Sequence, residues 1–278
     1  MNNLEFCLVV WVGGLAAGFL GSLTGLGGGI VVVPLLVWLS VDIRYAIGAA
    51  LVSVIATSSG AAAAYVKQGF VNVRVGIFLE LATTVGAVSG AHLATSFVST
   101  SAIAVIFGVV LLVSAFLSLR QWHQDVLAER PNQIAVWLRL DGSYPTAEGP
   151  QSYHVQAVPL GFALMYVAGV LSGLLGIGSG AVKVLAMDRA MRIPFKVSTT
   201  TSNFMIGVTA AASAGLYLHK GYLDPGVAMP VMLGVLPGAL LGATFLARAK
   251  TGVLRIVFCV VLVALAVQMI FNGLTGRA

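Results

Sequence analysis

Apolar segments, most of them long enough to cross a lipid bilayer, occupy nearly all of this chain and constrain its fold more than any other feature. They are separated by short polar breaks and fall at 4–22, 30–40, 46–66, 75–95, 101–119, 157–175, 181–188, 197–218, 226–247 and 252–271. A helix needs about 20 residues to span the hydrocarbon core, so 30–40 and 181–188 are too short. We predict an all-α polytopic membrane protein with about 8–10 membrane segments.

Composition supports this prediction and excludes other classes of protein. Of the 278 residues, 59% are hydrophobic and only 9% are charged, whereas soluble domains carry about 25% charged residues. The net charge of +6 comes from scattered Lys and Arg without a basic tract, which argues against nucleic-acid binding. Cys7 and Cys259 lie in apolar runs and form no metal-ligand spacing. We expect the lipid bilayer as a partner, and neither a metal nor a cofactor.

The two halves of the chain repeat a pattern of small and apolar residues. An offset of 151 positions places Gly18, Leu20, Leu23, Gly25, Gly27 and Gly29 on Gly169, Leu171, Leu174, Gly176, Gly178 and Gly180. An offset of 152 places Gly69 on Gly221, Gly86 on Gly238 and Gly90 on Gly242. We therefore divide the chain into a first transmembrane repeat (1–119), a connector (120–154) and a second transmembrane repeat (155–278).

The distribution of basic residues predicts how the two repeats are oriented. If each repeat contributes an odd number of segments, most of the basic residues share one side, and only Arg44, Lys220 and Arg277 lie on the other. Four crossings per repeat would instead divide them equally. The positive-inside rule favours the first arrangement. We expect a multi-pass protein of the cell (inner) membrane with both termini outside, a cytoplasmic connector and two inverted repeats, which are a hallmark of secondary transporters.

Two glycine-rich runs at equivalent positions of the repeats are the most specific motifs, Gly25-Leu26-Gly27-Gly28-Gly29 and Gly176-Ile177-Gly178-Ser179-Gly180. A glycine costs a helix interior about 1 kcal/mol relative to alanine, so both runs should unwind the helix. Unwound backbone in a membrane must be buried in protein or line a wet cavity.

The short arms after the runs then become half-helices whose N-termini favour an anion in mid-membrane. Alternatively, the glycines only allow close helix packing. Each repeat is thus predicted to contain a broken-helix hairpin followed by three transmembrane helices.

These glycines carry a resemblance to a known family. The pattern Gly18-x-x-Gly21-x-x-x-Gly25-x-Gly27-Gly28-Gly29, followed by Pro34, and its second copy from Gly169 to Gly180 resemble the sulfite exporter TauE/SafE family, also called the toluene sulfonate uptake permeases. The second copy has Ser179 in place of Gly28 and Leu185 in place of Pro34. The resemblance covers 1–119 and 155–278 and implies transport of small sulfur-containing anions such as sulfite or organosulfonates.

Polar side chains near the breaks are candidates for binding a small anionic substrate. Lys183 is the only basic residue placed inside a segment, where its ammonium would bind an oxyanion. Alternatively, it extends to the cytoplasmic surface. Hydroxyl and amide donors suit a sulfite or sulfonate, although they also bond to neighbouring helices or to their own helix. The candidate set is Gly25, Gly27, Gly28, Gly29, Ser53, Thr57, Gly176, Gly178, Ser179, Gly180, Lys183, Thr199, Thr200 and Asn203.

Within this set, an offset of 150 positions, which places Ile43 on Ile193, assigns Asn203 as the repeat partner of Ser53 and Gly207 as that of Thr57. Outside the set, Glu80 lies about 9 Å into its segment, counted from Arg74. Glu80 could carry a coupling proton or pair with a nearby basic residue.

The sequence predicts a secondary transporter and not an enzyme. It has no Gly-x-x-x-x-Gly-Lys-[Ser/Thr] nucleotide-binding motif, so transport would draw on a gradient. We predict that it moves small sulfur-containing anions by alternating access around a central site. The alternatives are an anion channel, a transporter of another inorganic ion and, more remotely, an intramembrane enzyme that uses Ser179 with a histidine.

Overall fold

The computed structural model describes residues 3–24, 27–67, 69–119, 132–146, 149–246 and 251–276. Its elements in chain order are α1 (Asn3–Thr24), α2 (Gly29–Trp38), α3 (Ile43–Lys67), α4 (Val73–Ser96), α5 (Thr100–Leu119), α6 (Gln133–Trp137), β1 (Gly142–Thr146), β2 (Gly149–Tyr153), α7 (Val158–Leu175), α8 (Gly180–Leu185), α9 (Phe195–His219), α10 (Pro225–Leu246) and α11 (Thr251–Thr275). A π-helical turn, Ala186–Ala190, extends α8. Apart from the short α6, which lies in the connector, the helices coincide with the predicted apolar segments to within a few residues.

The long helices have the apolar character that a membrane requires. Among the described residues, five helices are long and apolar enough to span a bilayer, namely α1, α3, α4, α7 and α10. On α4, the side chains of Ile77, Leu81 and Val85 are exposed, whereas Val75 and Leu79 are fully buried. Water would penalise so many exposed apolar side chains, but lipid does not. The outward faces of these helices are therefore suited to lipid contact.

The chain reverses direction at the first glycine run. Helix α1 ends at Thr24 and α2 begins at Gly29. Gly21 of α1 packs against Gly28, and Gly13, two turns earlier, packs against Leu35 of α2. The short helix α2 therefore runs back along α1, as a returning half-helix should. Gly25 lies outside the described residues.

The second glycine run also reverses the chain, through three residues with left-handed backbone. Gly176, Gly178 and Ser179 have φ values of 68°, 70° and 45°, and L side chains rarely adopt this conformation without strain. The Ser179 hydroxyl donates to the carbonyl oxygen of Ala168 at 2.5 Å, which holds the start of α8 against α7. Both predicted helix breaks are thus present in the structure.

Helices from the two halves pack in matching pairs, α1 on α10 and α4 on α7. Gly18 of α1 packs on the backbone of Val235 in α10, and its repeat partner Gly169 in α7 packs on the backbone of Thr83 in α4. A Cβ at either glycine would collide with the facing carbonyl oxygen, so only glycine allows the helices to approach this closely. The repeat detected in the sequence therefore corresponds to a repeated packing contact.

The equivalent helices α3 and α9 lie against each other and run antiparallel. Gly48, near the start of α3, contacts the backbone of Tyr222, which follows the end of α9. At the opposite end, the Thr200 hydroxyl near the start of α9 donates to the carbonyl oxygen of Phe70, which follows α3. This central pair carries the residues that surround the two breaks.

A β-hairpin in the connector departs from the all-α prediction. Strands β1 and β2 pair antiparallel, with Gly142 opposite Tyr153. The Asn72 amide, in the α3–α4 loop, donates to the Tyr153 hydroxyl at 2.7 Å and to the Leu140 carbonyl oxygen at 2.9 Å. Burial raises the pKa of Tyr153 to about 12. The sequence did not reveal the hairpin because such short strands, largely exposed, have no clear apolar alternation.

Candidate functional site

The two glycine breaks meet inside the molecule. A Cβ at Gly29 would lie 2.5 Å from the carbonyl oxygen of Gly176 and 3.4 Å from the Cα of Ile177, so the two backbones are in direct contact. The ends of both half-helices are therefore brought to one place, although 151 positions separate the motifs in the sequence. We refer to Gly27–Gly29 and Gly176–Gly180 together as the central break site.

Two apolar side chains, Val54 of α3 and Ile206 of α9, each contact both breaks. A Cβ at Gly27 would be 3.4 Å from Val54 and 3.6 Å from Ile206, and a Cβ at Gly178 would be 2.7 Å from Ile206 and 3.3 Å from Val54. The two residues are 152 positions apart, so they are repeat partners by the same offset as Gly69 and Gly221. With these side chains in contact with both breaks, the described conformation is closed at the centre.

This symmetric contact corrects one repeat assignment made from the sequence. The offset that relates Val54 to Ile206 is 152, not 150, and it gives Thr209 as the partner of Thr57. Gly207 and Asn203 are therefore not the structural partners of Thr57 and Ser53. The error arose because Ile43 and Ile193 suggested an offset of 150 just before these helices.

The predicted hydroxyl donors already have partners in this structure. Ser53 donates to Ala50, Thr57 to Ser53, Thr199 to Phe195, and Thr200 to Phe70 and Lys196, in each case to a carbonyl oxygen. Thr57 still lies at the central break site, since its Oγ1 is 3.4 Å from the Cβ position of Gly28. Thr199 and Thr200 instead lie near the start of α9, toward the α3–α4 loop.

Asn203 differs from the hydroxyl residues because its donor is free. The side chain is only 4% exposed, and the buried Nδ2 has no hydrogen-bond partner. Its neighbour Ser202 donates to the carbonyl oxygen of Gly180, at 3.4 Å, so this part of α9 lies beside the second break. A buried amide without a partner costs roughly 1–3 kcal/mol, and such groups usually serve a purpose.

A buried charged group adjoins the second break. The Lys183 side chain, in α8, is fully buried, and its Nζ donates to Thr209 Oγ1 at 2.5 Å. The Thr209 hydroxyl donates to Glu80 Oε1 at 2.7 Å, and Thr84 donates to the same oxygen at 3.3 Å. We call Glu80, Thr209 and Lys183 the charge triad.

The Lys183 ammonium lies in the interior and does not extend to the surface, unlike in the second of the two interpretations given from the sequence. Glu80 is the counter-ion of Lys183, and the Thr209 hydroxyl links the two charged groups. Sequence reasoning missed Thr209, which the offset of 152 applied to Thr57 would have revealed.

Two cation–π contacts join the halves at opposite ends of the α3–α9 pair. Arg44 lies 5.5 Å from the Tyr222 ring centroid, and the guanidinium also donates to the Val98 carbonyl oxygen at 3.1 Å. Lys196 Nζ lies 4.0 Å from the Phe70 ring centroid. Arg44 and Lys196 are 152 positions apart, and so are Phe70 and Tyr222. The two contacts are therefore repeat equivalents of each other.

Comparison with known proteins places the chain in a family. The sulfite exporter TauE/SafE family matches residues 10–269. Similar proteins include a probable membrane transporter protein, YunE of Bacillus subtilis, which is 31% identical over 280 residues and covers 98% of this chain and 99% of its own. A probable membrane transporter protein of Methanocaldococcus jannaschii is 24% identical over 271 residues, with 92% of each chain covered. No solved structure matches this chain significantly. Both the motifs at the two breaks and the match over nearly the whole length show that the chain belongs to the sulfite exporter TauE/SafE family.

Proposed function

We propose that this protein is a secondary transporter of small sulfur-containing anions, such as sulfite or organosulfonates, that works by alternating access. The observation that carries the proposal is the meeting of the two glycine breaks beside a fully buried lysine. The family name refers to sulfite export, and the similar proteins are named probable membrane transporters. These names support the transporter class, while the geometry supports an anion as the substrate.

The anion would bind where the half-helices begin. Helix α2 begins at Gly29 without a side-chain cap, so no side chain competes with a ligand for the N–H groups of Gly29 and Ile30, whereas those of Val31 and Val32 donate to the Gly28 carbonyl oxygen. Lys183 supplies a full positive charge, and Asn203 Nδ2 supplies a free donor. Together these groups would replace the water shell of the anion. Binding requires Val54 and Ile206 to separate, because they now pack against both breaks.

The two halves would rock against each other around this site. The antiparallel pair α3–α9 supports an inverted arrangement of the repeats, and the excess of basic residues on one side supports a cytoplasmic connector with both termini outside. The Arg44–Tyr222 and Lys196–Phe70 contacts would then close opposite faces. A cation–π contact is worth about 0.5–1 kcal/mol at exposed sites and about 2 kcal/mol when desolvated, so either contact is weak enough to break in each cycle.

Flux of labelled sulfite in proteoliposomes tests the proposal, with small organosulfonates as competitors. We expect wild-type uptake that sulfonates inhibit, that shows counterflow, and that Lys183→Met abolishes. Lys220→Met, which removes an exposed surface charge, is the control and should transport like the wild type. Flux without counterflow would indicate a channel, and equal flux in Lys183→Met would exclude Lys183 from the site.

A further inference from the structure

The charge triad connects three helices through one hydroxyl group. Thr209 of α9 accepts a hydrogen bond from Lys183 of α8 and donates one to Glu80 of α4. A threonine hydroxyl has a single proton to donate, so it can serve only one strong acceptor at a time. A buried ammonium is stable only where a negative charge compensates it, and Glu80 provides that charge here.

In the described part of the chain, no other charged group compensates the buried ammonium of Lys183. The remaining ionisable side chains of α3, α4, α7 and α9 lie near helix ends or are exposed. Among the side chains that the structure describes, they are Arg44, Tyr45, Arg74, His92, Tyr166, Lys196, Tyr217 and His219, and the π-helical turn after α8 adds Asp188 and Arg189. One buried cation therefore faces one carboxylate.

We propose that the transported anion competes with Glu80 for Lys183, so that one proton moves with each monovalent anion. The inference rests on the proposed transport function. An anion at Lys183 would leave two negative charges against one positive charge inside the membrane unless Glu80 became neutral. Protonation of Glu80 restores neutrality.

The structure offers a place for this proton. Glu80 Oε2 is buried and has no hydrogen-bond partner, while Oε1 is held by Thr209 and Thr84. The proton comes from water on the side where the anion enters, forms an O–H bond with the carboxylate, and returns to water on the other side when Glu80 again compensates Lys183. Thr209 is a positioning residue, since its hydroxyl links the two charged groups.

Accumulation of labelled methanesulfonate in proteoliposomes under a pH gradient tests the coupling of anion and proton movement. The membrane potential is held at zero by equal potassium concentrations on both sides and a potassium ionophore. Methanesulfonate keeps one negative charge at every working pH, whereas sulfite gains a proton in solution and is used only as a parallel probe of exchange. We expect the wild type to accumulate methanesulfonate about tenfold per pH unit of gradient. Glu80→Gln should exchange labelled for unlabelled anion but should not accumulate it.

The failures of this inference and of the proposed function are distinguishable. No exchange of either anion by the wild type would refute the transport function and the coupling with it. Wild-type exchange without accumulation under the gradient would leave the carrier intact and overturn the coupling. Accumulation by Glu80→Gln at the wild-type level would also overturn it, because the proton would then travel elsewhere.

Two further measurements test the role of Thr209 and replace Glu80→Gln if that variant does not fold. Thr209→Val should shift the pH profile of exchange and Thr209→Ser should restore it, whereas Ser213→Ala should behave as wild type, since the Ser213 hydroxyl donates only to its own helix, at Thr209. If Glu80→Gln does not fold, proton uptake by the purified wild type on addition of methanesulfonate in weak buffer decides the matter. About one proton per bound anion supports the coupling, and none overturns it.

Discussion

Single polar residues of this protein differ in how much of their hydrogen-bonding capacity the fold already uses. Ser53 and Thr57 are buried, but their hydroxyl groups are satisfied by carbonyl oxygens of their own helix. Asn203 is equally buried and keeps a free amide donor. A donor without a partner in the closed protein is better suited to receive a substrate than one that must first give up a bond.

Asn203→Leu is therefore expected to weaken transport without weakening the fold. The substitution removes a donor that makes no hydrogen bond, so the free energy of unfolding should change by less than about 1 kcal/mol. A hydrogen bond to a charged ligand contributes about 1.5–3 kcal/mol, so the half-saturating substrate concentration should rise by about tenfold or more. Thermal unfolding in detergent and concentration-dependent uptake check the two parts. Ser53→Ala is the control, and an equal loss of affinity in both variants would contradict the distinction.

Replacement of Gly29, at the contact between the two breaks, is expected to destabilise the protein. A Cβ at Gly29 would lie 2.5 Å from the Gly176 carbonyl oxygen and 2.9 Å from Val54, so Gly29→Ala must push the breaks apart. Such overpacking typically costs about 1–3 kcal/mol, which should appear as a lower midpoint of thermal unfolding. Gly215→Ala is the matched control in α9, because nothing lies within 4 Å of its Cβ position. Equal midpoints for the two variants would show that the breaks are not packed as described.

How far sequence predicts single residues depends on the signal that each one gives. Lys183 and Glu80 were found because a charged residue stands out in an apolar segment. Val54 and Ile206 give no such signal, since valine and isoleucine occur throughout membrane helices. Their importance comes from their contact with two breaks that are distant in the sequence, and only the three-dimensional structure reveals this contact.

Among the elements, the helices were predictable and the small hairpin of the connector was not. Long apolar runs and glycine-rich interruptions determine where α1 to α5 and α7 to α11 begin and end, because lipid accepts only backbone whose hydrogen bonds are satisfied internally. The same principle does not apply to the connector, where water is available. There, β1 and β2 depend on local pairing and on the contacts of Asn72, which leave no periodic trace.

The two cation–π contacts lead us to predict how α3 and α9 move during transport. If the α3–α9 pair alternates between two arrangements, either contact held closed by a covalent link should stop the cycle. We expect a short bifunctional thiol reagent to block exchange in Arg44→Cys/Tyr222→Cys and, equally, in Phe70→Cys/Lys196→Cys, in a background without Cys7 and Cys259. After treatment, the exchange rate of each double variant should be below about a tenth of its rate before treatment, because a single cross-link prevents the whole conformational change.

The four single-cysteine variants treated with the same reagent are the controls and should keep their exchange. Continued exchange with a contact cross-linked would mean that this end of the pair does not open during transport. A block at only one end would restrict movement to the other face, and the repeat equivalence of the two contacts would then have no functional counterpart.

At the scale of the whole molecule, the loops fall into two groups that agree with the charge distribution. The loop after α3 contacts the start of α9 and the connector, through Thr200 and Asn72. At the other end, Arg44 joins the start of α3 to the loop after α4 and to the loop after α9, through Val98 and Tyr222. An odd number of segments per repeat requires this grouping, whereas four crossings would separate the loop after α3 from the start of α9.

The excess of basic residues then predicts which group faces the cytoplasm, and this orientation can be measured with two exposed serines. Ser152 lies in the connector hairpin and Ser99 lies in the loop between α4 and α5. In a background without Cys7 and Cys259, a membrane-impermeant maleimide should label Ser99→Cys but not Ser152→Cys in intact cells. Inside-out vesicles should give the reverse, because the positive-inside rule retains the basic loops in the cytoplasm. Labelling of both sites from one side would contradict the two-group arrangement, and the opposite pattern would preserve the fold but invert its orientation, so that Arg44 and Tyr222 would close the cytoplasmic face instead.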